Sequence, residues 1–157
     1  MTDAEIIEAL QRDLGGKVLE AANPDRRRVF IRVTPVDLSA VVMLLRDAYH
    51  FTYLATISGV DKGDMFEIVY HFATTERNLN IRTEIPKASP RIESVTPIIP
   101  GAVLYERELQ DMFGIIVDHL PDPRPLVLPD DWPAGEHPLR KDWKFERPQE
   151  IIPGGKS

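Results

Sequence analysis

Residues 53–86, YLATISGVDKGDMFEIVYHFATTERNLNIRTEIP, decide the fold class. Apolar and polar residues alternate at positions 66–72 and again at 79–85, and this spacing predicts two strands that each bury one face. The run 53–60 before them is apolar and rich in residues that favour strands. The sequence Asp-Lys-Gly-Asp at 61–64 is typical of a turn. We therefore predict an antiparallel meander with one buried face.

The residues before the meander predict one strand and two amphipathic helices. Thr2 is suited to cap a first helix that ends at Gly15, because apolar residues recur between them at helical spacing. Residues 29–33 alternate as a strand does. Asp37 is suited to cap a second helix with an apolar face.

Two further helices are predicted after the meander. Ser89-Pro90 favour the start of a short helix that ends near Val95. A longer helix is expected between Gly101 and Gly114, where Gly114 serves as the C-terminal cap. The predicted fold class is α+β, with helices packed on one face of a mainly antiparallel sheet, followed by an extended proline-rich C-terminal segment.

The composition excludes several classes of function. The chain has 157 residues and no cysteine, which rules out disulfides, thiolate nucleophiles and cysteine-ligated zinc or iron–sulfur clusters within it. The net charge of −6 argues against broad binding to nucleic acid or anionic lipid. We expect no signal peptide and no transmembrane segment, since the chain has no apolar run of about 20 residues.

Proline divides the chain into two parts. Of the 14 prolines, 8 lie after residue 118. Residues 1–117 are therefore predicted to form one α+β domain, and residues 118–157 an extended segment. The segment also carries Leu126, Val127 and Trp132, so we expect it to lie on a surface, either that of its own domain or that of a partner.

The helix before this segment concentrates charge. It carries Glu106, Arg107, Glu108 and Asp111, with Arg107 and Asp111 at i, i+4 spacing. Paired carboxylates suit acid–base catalysis, yet the sequence has no nucleophile elbow, phosphate-binding loop or HExxH motif. We expect instead that the acids hold Arg107 and that Arg107 pins the segment that follows.

Several short motifs together resemble one family. Glu-Arg-Glu at 106–108, Asp-Met-Phe-Gly-Ile at 111–115, Pro-Asp at 121–122, Leu-Val-Leu-Pro at 126–129 and His-Pro-Leu-Arg-Lys-Asp-Trp at 137–143 look like the 30-kDa subunit of respiratory complex I, which is the C subunit of NADH-quinone oxidoreductase. The family includes the equivalent subunit of membrane-bound, energy-converting NiFe hydrogenases. The predicted structural or interface residues are Glu106, Arg107, Glu108, Asp111, Phe113, Gly114, Pro121, Asp122, Arg124, Trp132, His137, Pro138, Leu139, Arg140, Lys141, Asp142 and Trp143.

The resemblance implies an assembly subunit without catalytic, cofactor-binding or metal-binding residues of its own. Such a subunit packs on the large subunit that holds a quinone site or a NiFe site, beside a small iron–sulfur subunit and other hydrophilic subunits. The complex is bound to the membrane, translocates protons or sodium ions, and carries this subunit peripherally on the cytoplasmic face. A chain cut after Gly114 is accordingly expected to stay folded and to lose assembly.

One position departs from the family, and the type of complex stays open. Leu120 stands where the family usually has His or Lys, with His119 one position earlier. The short chain and the sequence Asp-Asp-Trp-Pro at 130–133 favour a hydrogenase-type or other minimal complex. The equivalent subunit of a full NADH:quinone oxidoreductase is the alternative.

Two hypotheses from other classes also remain. The first is a self-contained acid–base enzyme that uses Glu106 or Glu108 with His119 or His137. The second is a small RNA-binding module, suggested by the basic run at 26–28 and opposed by the acidic balance of the chain.

Overall fold

The computed structural model describes residues 1–145, which contain three α-helices and seven β-strands. The α-helices are α1 (Asp3–Leu14), α2 (Leu38–Asp47) and α3 (Val103–Phe113). The strands are β1 (Val18–Asp25), β2 (Arg28–Val33), β3 (Tyr53–Asp61), β4 (Met65–Ala73), β5 (Asn78–Pro86), β6 (Arg91–Glu93) and β7 (Ile116–Asp118). Short 3-10 turns at Gly15–Lys17 and Pro100–Ala102 precede β1 and α3.

Helix α1 begins and ends where the sequence predicts. The Thr2 hydroxyl accepts a hydrogen bond from the Glu5 amide, and the Glu5 carboxylate accepts one from the Thr2 amide. This reciprocal pair satisfies two amides that the first helical turn leaves without partners. Gly15 ends the helix with a φ of 54°. The stripe of Ile6, Leu10 and Leu14 is buried, as its spacing predicts.

The main sheet contains five strands in the order β1-β2-β5-β4-β3. Strands β3, β4 and β5 form the predicted antiparallel meander, with Ile57 opposite Tyr70 and Tyr70 opposite Ile81. Strand β1 is also antiparallel to β2, whereas β2 runs parallel to β5. The fold is therefore α+β with a mainly antiparallel sheet and few helices.

One face of the sheet forms the core, and the other face carries charge. Val29, Ile31, Leu79 and Ile81 lie on adjacent strands of the buried face and join a single apolar cluster with residues of α1 and α2. Full burial of an aliphatic side chain contributes about 1.5–3 kcal/mol, so this face supplies much of the stability. The opposite face bears mainly polar side chains, namely Arg32, Glu67, His71, Arg82 and Glu84, none of which is fully buried.

The short helix predicted between Ser89 and Val95 is wrong. Residues Arg91–Glu93 form β6, which pairs in parallel with β7, and Ile92 faces Val117 across that pair. Both of these apolar residues are buried. The polar–apolar–polar pattern of Arg91–Glu93 suits a two-residue period better than a helix, but its partner strand lies more than 20 residues later and leaves no local trace.

Strand β7 ends at Asp118, so the predicted boundary at 117/118 lies within a strand. Residues 119–145, which we call the strap, contain turns and bends without a helix or strand. No helix within residues 1–145 is long and apolar enough to cross a membrane.

Candidate functional site

Helix α3 lies against strand β3 because Gly59 leaves room for it. A Cβ atom on Gly59 would lie 2.9 Å from Cδ2 of Phe113. The Phe113 ring packs edge-on against Phe66, with ring centroids 5.7 Å apart. Leu109, one turn earlier on α3, is also buried. Gly59 lies within the apolar run 53–60, and nothing in the sequence predicts its contact with Phe113.

The side chain of Glu106 is buried inside the fold. It is 1% exposed, and its carboxylate accepts hydrogen bonds from the Ser94 hydroxyl at 2.6 Å and the Val95 amide at 2.7 Å. Burial raises the pKa of Glu106, and the hydrogen bonds from Ser94 and Val95 oppose that change. The carboxylate thus fastens the loop after β6 to α3.

Arg107 pairs with the strap and not with the acids of its own helix. Its guanidinium lies 3.3 Å from the carboxylate of Asp122 and donates to the carbonyls of Arg124 at 2.8 Å and Pro125 at 3.1 Å. The predicted grip of the helix acids on Arg107 is therefore wrong, while its contact with the following segment is as expected. An arginine N-terminal to an acid is the weaker order for an i, i+4 pair, and backbone amides occupy the Asp111 carboxylate.

Two arginines bind the carboxylate of Asp122. Besides Arg107, the side chain of Arg124 donates two hydrogen bonds to it, at 2.8 and 2.7 Å. These bonds lower the pKa of Asp122. The Pro-Asp-Pro-Arg sequence therefore forms a compact turn against α3.

Asp111 binds the backbone of the strap. One oxygen of its carboxylate accepts hydrogen bonds from the amides of Leu126, Val127 and Leu128, at 2.8, 2.7 and 3.2 Å. Asp111 itself is only 8% exposed. Because charged acceptors form the stronger hydrogen bonds, this side chain fixes three consecutive residues of a segment that has no secondary structure of its own.

The His-Pro-Leu-Arg motif caps the C-terminus of α3. His137 donates through Nδ1 to the carbonyl of Asp111 at 2.9 Å, the Leu139 amide donates to the carbonyl of Met112 at 3.0 Å, and Arg140 donates to the carbonyl of Phe113 at 2.6 Å. The last carbonyls of a helix have no partners within the helix, and a cation near them is favourable. The motif therefore completes α3.

Gly114 makes this cap possible. Its φ is 69°, in the left-handed region, as predicted for a helix cap. A Cβ atom at this position would lie 2.9 Å from Nη2 of Arg140 and closer still to the imidazole of His137. The αL conformation and the lack of a side chain are both required here.

The end of the cap is fastened by Asp61, a residue that the sequence marks only as part of a turn. Its side chain is 1% exposed and accepts from Lys87 Nζ at 2.7 Å and from the Lys141 amide at 2.9 Å. Lys87 also lies 3.1 Å from Asp142. Burial alone would raise the pKa of Asp61, but the bonds from Lys87, Lys141 and Gly63 lower it to about 2. The Asp-x-Gly turn is visible in the sequence, whereas the partners are distant along the chain and are not.

The strap also carries an aromatic group. Trp132 and Trp143 lie with ring centroids 5.8 Å apart, and Phe145 lies 6.2 Å beyond Trp143. Both indole N–H groups bond to Glu136, one to its carbonyl at 2.9 Å and one to its carboxylate at 3.2 Å. Glu136 thus sets the spacing of the two tryptophans.

The remaining predicted residues do not join this network as a catalytic group. Glu108 is exposed on α3, and His119 is exposed and pairs with Glu93 at 2.7 Å. Leu120 is buried at 9% exposure, so the position at which the resemblance leads one to expect His or Lys faces the core here. Pro121 is exposed and Pro138 is half-buried. Among residues 1–145, no hydrogen bond or ion pair joins Glu106 or Glu108 to His119 or His137.

The described part of the chain offers no cluster of side chains that could bind a metal ion. Residues 1–145 contain no group of three or more His, Asp or Glu side chains placed to hold a metal ion. What α3 and the strap offer is an assembly of charged side chains that bind backbone groups.

The sequence matches the family described as respiratory-chain NADH dehydrogenase, 30 Kd subunit, over residues 31–149. It is 36% identical over 143 residues to the C subunit of F(420)H(2) dehydrogenase from Methanosarcina mazei, a match that covers 88% of this chain and 90% of that protein. It is also 36% identical over 144 residues to formate hydrogenlyase subunit 5 of Escherichia coli, which covers 87% of this chain and 25% of that protein.

The fold is similar to a chain of the membrane-bound sulfane sulfur reductase, described as an archaeal respiratory membrane complex. The TM-score is 0.80 at 25% sequence identity, and the match covers 90% of this chain and 85% of that chain. The C subunits of NADH-quinone oxidoreductase from Nocardioides sp. and Chloroherpeton thalassium are longer, and this chain spans 59% and 51% of them.

Proposed function

The chain belongs to the family of the respiratory-chain NADH dehydrogenase 30-kDa subunit, and on that basis we propose that it is a non-catalytic assembly subunit of a membrane-bound, ion-translocating redox complex. The complex is of the complex I or group 4 NiFe hydrogenase type. In this proposal the chain packs on the large catalytic subunit, which holds a quinone site or a NiFe site, and supports electron transfer by holding its neighbours in place.

The arrangement of α3 and the strap is the observation that carries this proposal. The charged side chains of the family motif bind backbone groups of the strap, as Asp111 and Arg107 do. Leu126 and Val127 nevertheless stay 41% and 52% exposed. A segment built with its polar groups inward and apolar side chains outward is suited to a protein neighbour.

The lengths of the relatives agree with a subunit that works joined to something larger. In formate hydrogenlyase subunit 5 the matching stretch is a quarter of the polypeptide, so it is covalently tied to a much larger remainder. In the Methanosarcina protein the matching stretch is nearly the whole subunit. The same domain therefore occurs both as a separate subunit and as part of a long chain. This is expected for a domain that has the same neighbours in each complex.

Redox groups are assigned to the partners in this proposal. The chain has no cysteine for an iron–sulfur cluster. Iron–sulfur clusters and the quinone or NiFe site would belong to a small iron–sulfur subunit and to the large subunit. The chain would sit peripherally on the cytoplasmic face of the membrane, held there by other subunits.

Copurification tests the proposal directly. The tagged full-length chain is expressed in its own host, membranes are solubilised in mild detergent, and the purified complex is quantified by mass spectrometry. We expect near-equal amounts of this chain, a large subunit of the quinone-site or NiFe-site type, and a small iron–sulfur subunit. Recovery of the chain without either type of large subunit would overturn the proposal.

The same measurement separates the two types of complex. Subunits that bind NADH in equal amount would identify a full NADH:quinone oxidoreductase, and hydrogenase-type subunits without them would identify the smaller complex. The acid–base alternative gains no support, because Glu106 is buried and bonded to Ser94 and Val95.

A further inference from the structure

Three polar side chains, remote from α3 and the strap in function, form a hydrogen-bonded chain on the polar face of the sheet. Ser58 lies on β3, His71 on β4 and Asn80 on β5. The Ser58 hydroxyl lies 2.9 Å from Nε2 of His71, and Nδ1 of the same imidazole lies 2.7 Å from Oδ1 of Asn80. The chain ends on the backbone, where Nδ2 of Asn80 donates to the carbonyl of Val29 at 3.2 Å.

The carbonyl at the end of this chain fixes the direction of every bond in it. A carbonyl oxygen only accepts, so the amide nitrogen of Asn80 faces Val29 and the amide oxygen faces His71. Nδ1 of His71 must therefore carry the hydrogen, and a neutral imidazole then has an acceptor at Nε2. The Ser58 hydroxyl is consequently the donor to Nε2.

The chain is fixed at one end and accessible at the other. Asn80 is 4% exposed, and its amide is bonded on both sides, so it holds the imidazole in one orientation. Ser58 and His71 are only half-buried. A rigid buried group thus orients His71, while the hydroxyl of Ser58 stays within reach of a small molecule.

A hydroxyl that donates to an oriented imidazole is the arrangement that activates serine for acyl transfer. Serine is a weak nucleophile while it is protonated, and an adjacent base removes the proton as the oxygen attacks. A third group keeps the base in the correct tautomer, and asparagine can serve in that place. The chain of Ser58, His71 and Asn80 contains these three parts in the required order.

The edge position of β3 adds two further features. The strand has a neighbour on one side only, so alternate backbone amides face away from β4 and can donate to a developing oxyanion. Within residues 1–145, no backbone hydrogen bond outside the sheet involves residues 54–60. Residues 56–59 also border a cavity of about 240 Å³, whose lining includes Leu109 and Leu139. A small acyl donor therefore has space along this edge.

We propose that Ser58 is an activated nucleophile that takes up an acyl group from a carboxylic ester with a good leaving group, with His71 as its general base and Asn80 as a positioning residue. The bond from Ser58 Oγ to the acyl carbon forms as the bond from that carbon to the leaving oxygen breaks. The proton of Ser58 passes to Nε2 of His71 and from there to the leaving oxygen. Ser58 ends as an ester, and the remainder of the donor departs as an alcohol or phenol.

This step is separate from the proposed role in assembly. It is a single acylation of the chain itself and requires no turnover, so it agrees with a subunit that takes no catalytic part in the redox reaction. It also requires no partner, because all three side chains belong to this chain.

Site-resolved mass spectrometry of the purified full-length chain tests the proposal, with p-nitrophenyl acetate as the acyl donor. Ser58 should gain an acetyl group at least about tenfold faster than Ser89, since general-base assistance contributes about 10²–10⁴-fold. Ser89 is the internal control, because it is exposed and no histidine of the described chain bonds to it. Ser58→Ala should lose the label at this position. Equal rates at the two serines of the folded wild type would overturn the proposal.

His71→Gln and the pH dependence test the general base. Glutamine is polar but takes up no proton at neutral pH, so the rate at Ser58 should fall to that at Ser89. In the wild type the rate at Ser58 should level off at alkaline pH, where the imidazole is neutral, while the rate at Ser89 keeps rising with hydroxide. A rate at Ser58 that rises without a plateau, or that survives His71→Gln, would overturn the role of His71.

The pH profile at Ser58 should show a single protonation. Within residues 1–145, the two ring nitrogens of His71 bond to Ser58 and Asn80 and to no charged group. The titratable or charged side chains that β3, β4 and β5 place on the same face are Tyr53, Glu67, Arg82 and Glu84.

Two variants of Asn80 separate positioning from structure. Asn80→Ala removes the acceptor at Nδ1 of His71 and should lower the plateau rate at least about tenfold. Asn80→Asp keeps an oxygen acceptor at Nδ1 and should retain most of the rate. Both variants lose the bond to the Val29 carbonyl, so a merely structural effect would appear in both.

Circular dichroism confirms that each variant is folded before its rate is compared. Equal losses of rate in folded Asn80→Ala and Asn80→Asp would overturn the positioning role of Asn80. If neither variant folds, His71→Gln and the wild-type pH profile still decide whether Ser58 is activated by its histidine.

Discussion

Three carboxylates are buried among residues 1–145, and each is balanced in a different way. Asp61 has a cation, Lys87, at 2.7 Å. Asp111 has three backbone amides and no cation within 4 Å in the described chain. Glu106 has one hydroxyl and one amide. Burial of a charge is costly unless it is compensated, and Glu106, with the fewest donors of the three, is the least compensated. Burial raises its pKa.

Glu106→Gln should change how stability depends on pH. Since the folded chain raises the pKa of Glu106 above the ordinary 4.5, it binds this proton more tightly than the unfolded chain does. The stability that results is complete below pH 4.5 and is lost as pH rises through the folded value. The glutamine cannot lose a proton, so its unfolding free energy should fall less than that of the wild type between about pH 5 and 8.

Urea denaturation at both pH values measures this difference. Glu108→Gln is the matched control, because Glu108 is an exposed acid on the same helix, and it should keep the wild-type pH dependence. Asp61 does not interfere, since its lowered pKa of about 2 places its effect in acid, where stability is lost as pH falls below 3.8. A wild-type slope in Glu106→Gln would contradict the prediction.

Gly114→Ala should destabilise the chain by about 1–3 kcal/mol, the usual cost of holding a non-glycine residue in a disfavoured conformation. The backbone at Gly114 has a φ of 69°, and an added Cβ would collide with His137 and Arg140. Gly101→Ala is the control, since nothing lies within 4 Å of a Cβ there and the backbone φ is not positive. Thermal or urea unfolding compares the two, and equal losses of stability would show that strain at Gly114 is unimportant.

At the scale of elements, α3 depends on its neighbours more than on its own sequence. It has 11 residues and no side-chain hydrogen bond at its N-cap. A helix of this length is marginal in water, so packing and capping must stabilise it. Phe113 and Leu109 pack on the sheet, and residues 137–140 of the strap cover the C-terminal carbonyls. The strap therefore stabilises the C-terminal end of α3.

Arg140→Ala should lower the unfolding free energy by about 2 kcal/mol, because it removes a charged hydrogen bond to the Phe113 carbonyl and a cation at the end of α3. Arg26→Ala is the control, since Arg26 lies exposed in the turn between β1 and β2. It should change stability by less than about 0.5 kcal/mol. Urea denaturation checks both, and equal effects would mean that the cap is dispensable.

Local patterns predicted the elements that depend on nearby residues. The meander, α1 with its Thr2 cap and the Gly114 terminus of α3 all follow from alternation, helical spacing or glycine, and the structure confirms them. Pairings between distant segments were missed, namely β2 with β5 and β6 with β7. A short segment such as Arg91–Glu93 becomes a strand only because a partner lies beside it, and single-sequence patterns carry no such information.

The same distinction holds for the site. The sequence pointed to the residues of α3 and of the 137–143 motif, but it paired Arg107 with the acids of its own helix. The structure pairs it with Asp122 and two strap carbonyls. Asp61 was missed because its partners Lys87 and Lys141 are 26 and 80 residues away along the chain. Spacing identifies charged groups, and only the fold decides which of them meet.

At the scale of the whole molecule, β7 is the last strand of the folded body, and the strap then packs against the surface of that body. Residues 116–118 pair with β6 and bury Val117, so the main body extends to Asp118. Beyond that point Leu120 still joins the apolar cluster, and the other contacts are mostly hydrogen bonds from the strap to α3 and to the end of β3. Residues 1–118 are thus held mainly by hydrophobic packing, and the strap mainly by hydrogen bonds. Truncation in each of these two parts should therefore have a different effect on stability.

A chain that ends at Asp118 should remain folded, whereas one that ends at Gly114 should not, contrary to the expectation from the sequence. The chain that ends at Asp118 keeps β7 but loses the burial of Leu120 and several hydrogen bonds to the strap, each bond contributing about 0.5–1.5 kcal/mol, so we expect a loss of about 3 kcal/mol or more. Water can replace the strap at Asp111 and at the last carbonyls of α3, which limits the loss. The chain that ends at Gly114 also lacks Ile115 and Val117, whose burial contributes about 1.5–3 kcal/mol each. That sum approaches the whole stability of a typical domain, about 5–15 kcal/mol.

Circular dichroism with urea denaturation compares both truncations with the full chain. If both are unfolded, the strap belongs to the core, and if both are equally stable, β7 contributes nothing to the body.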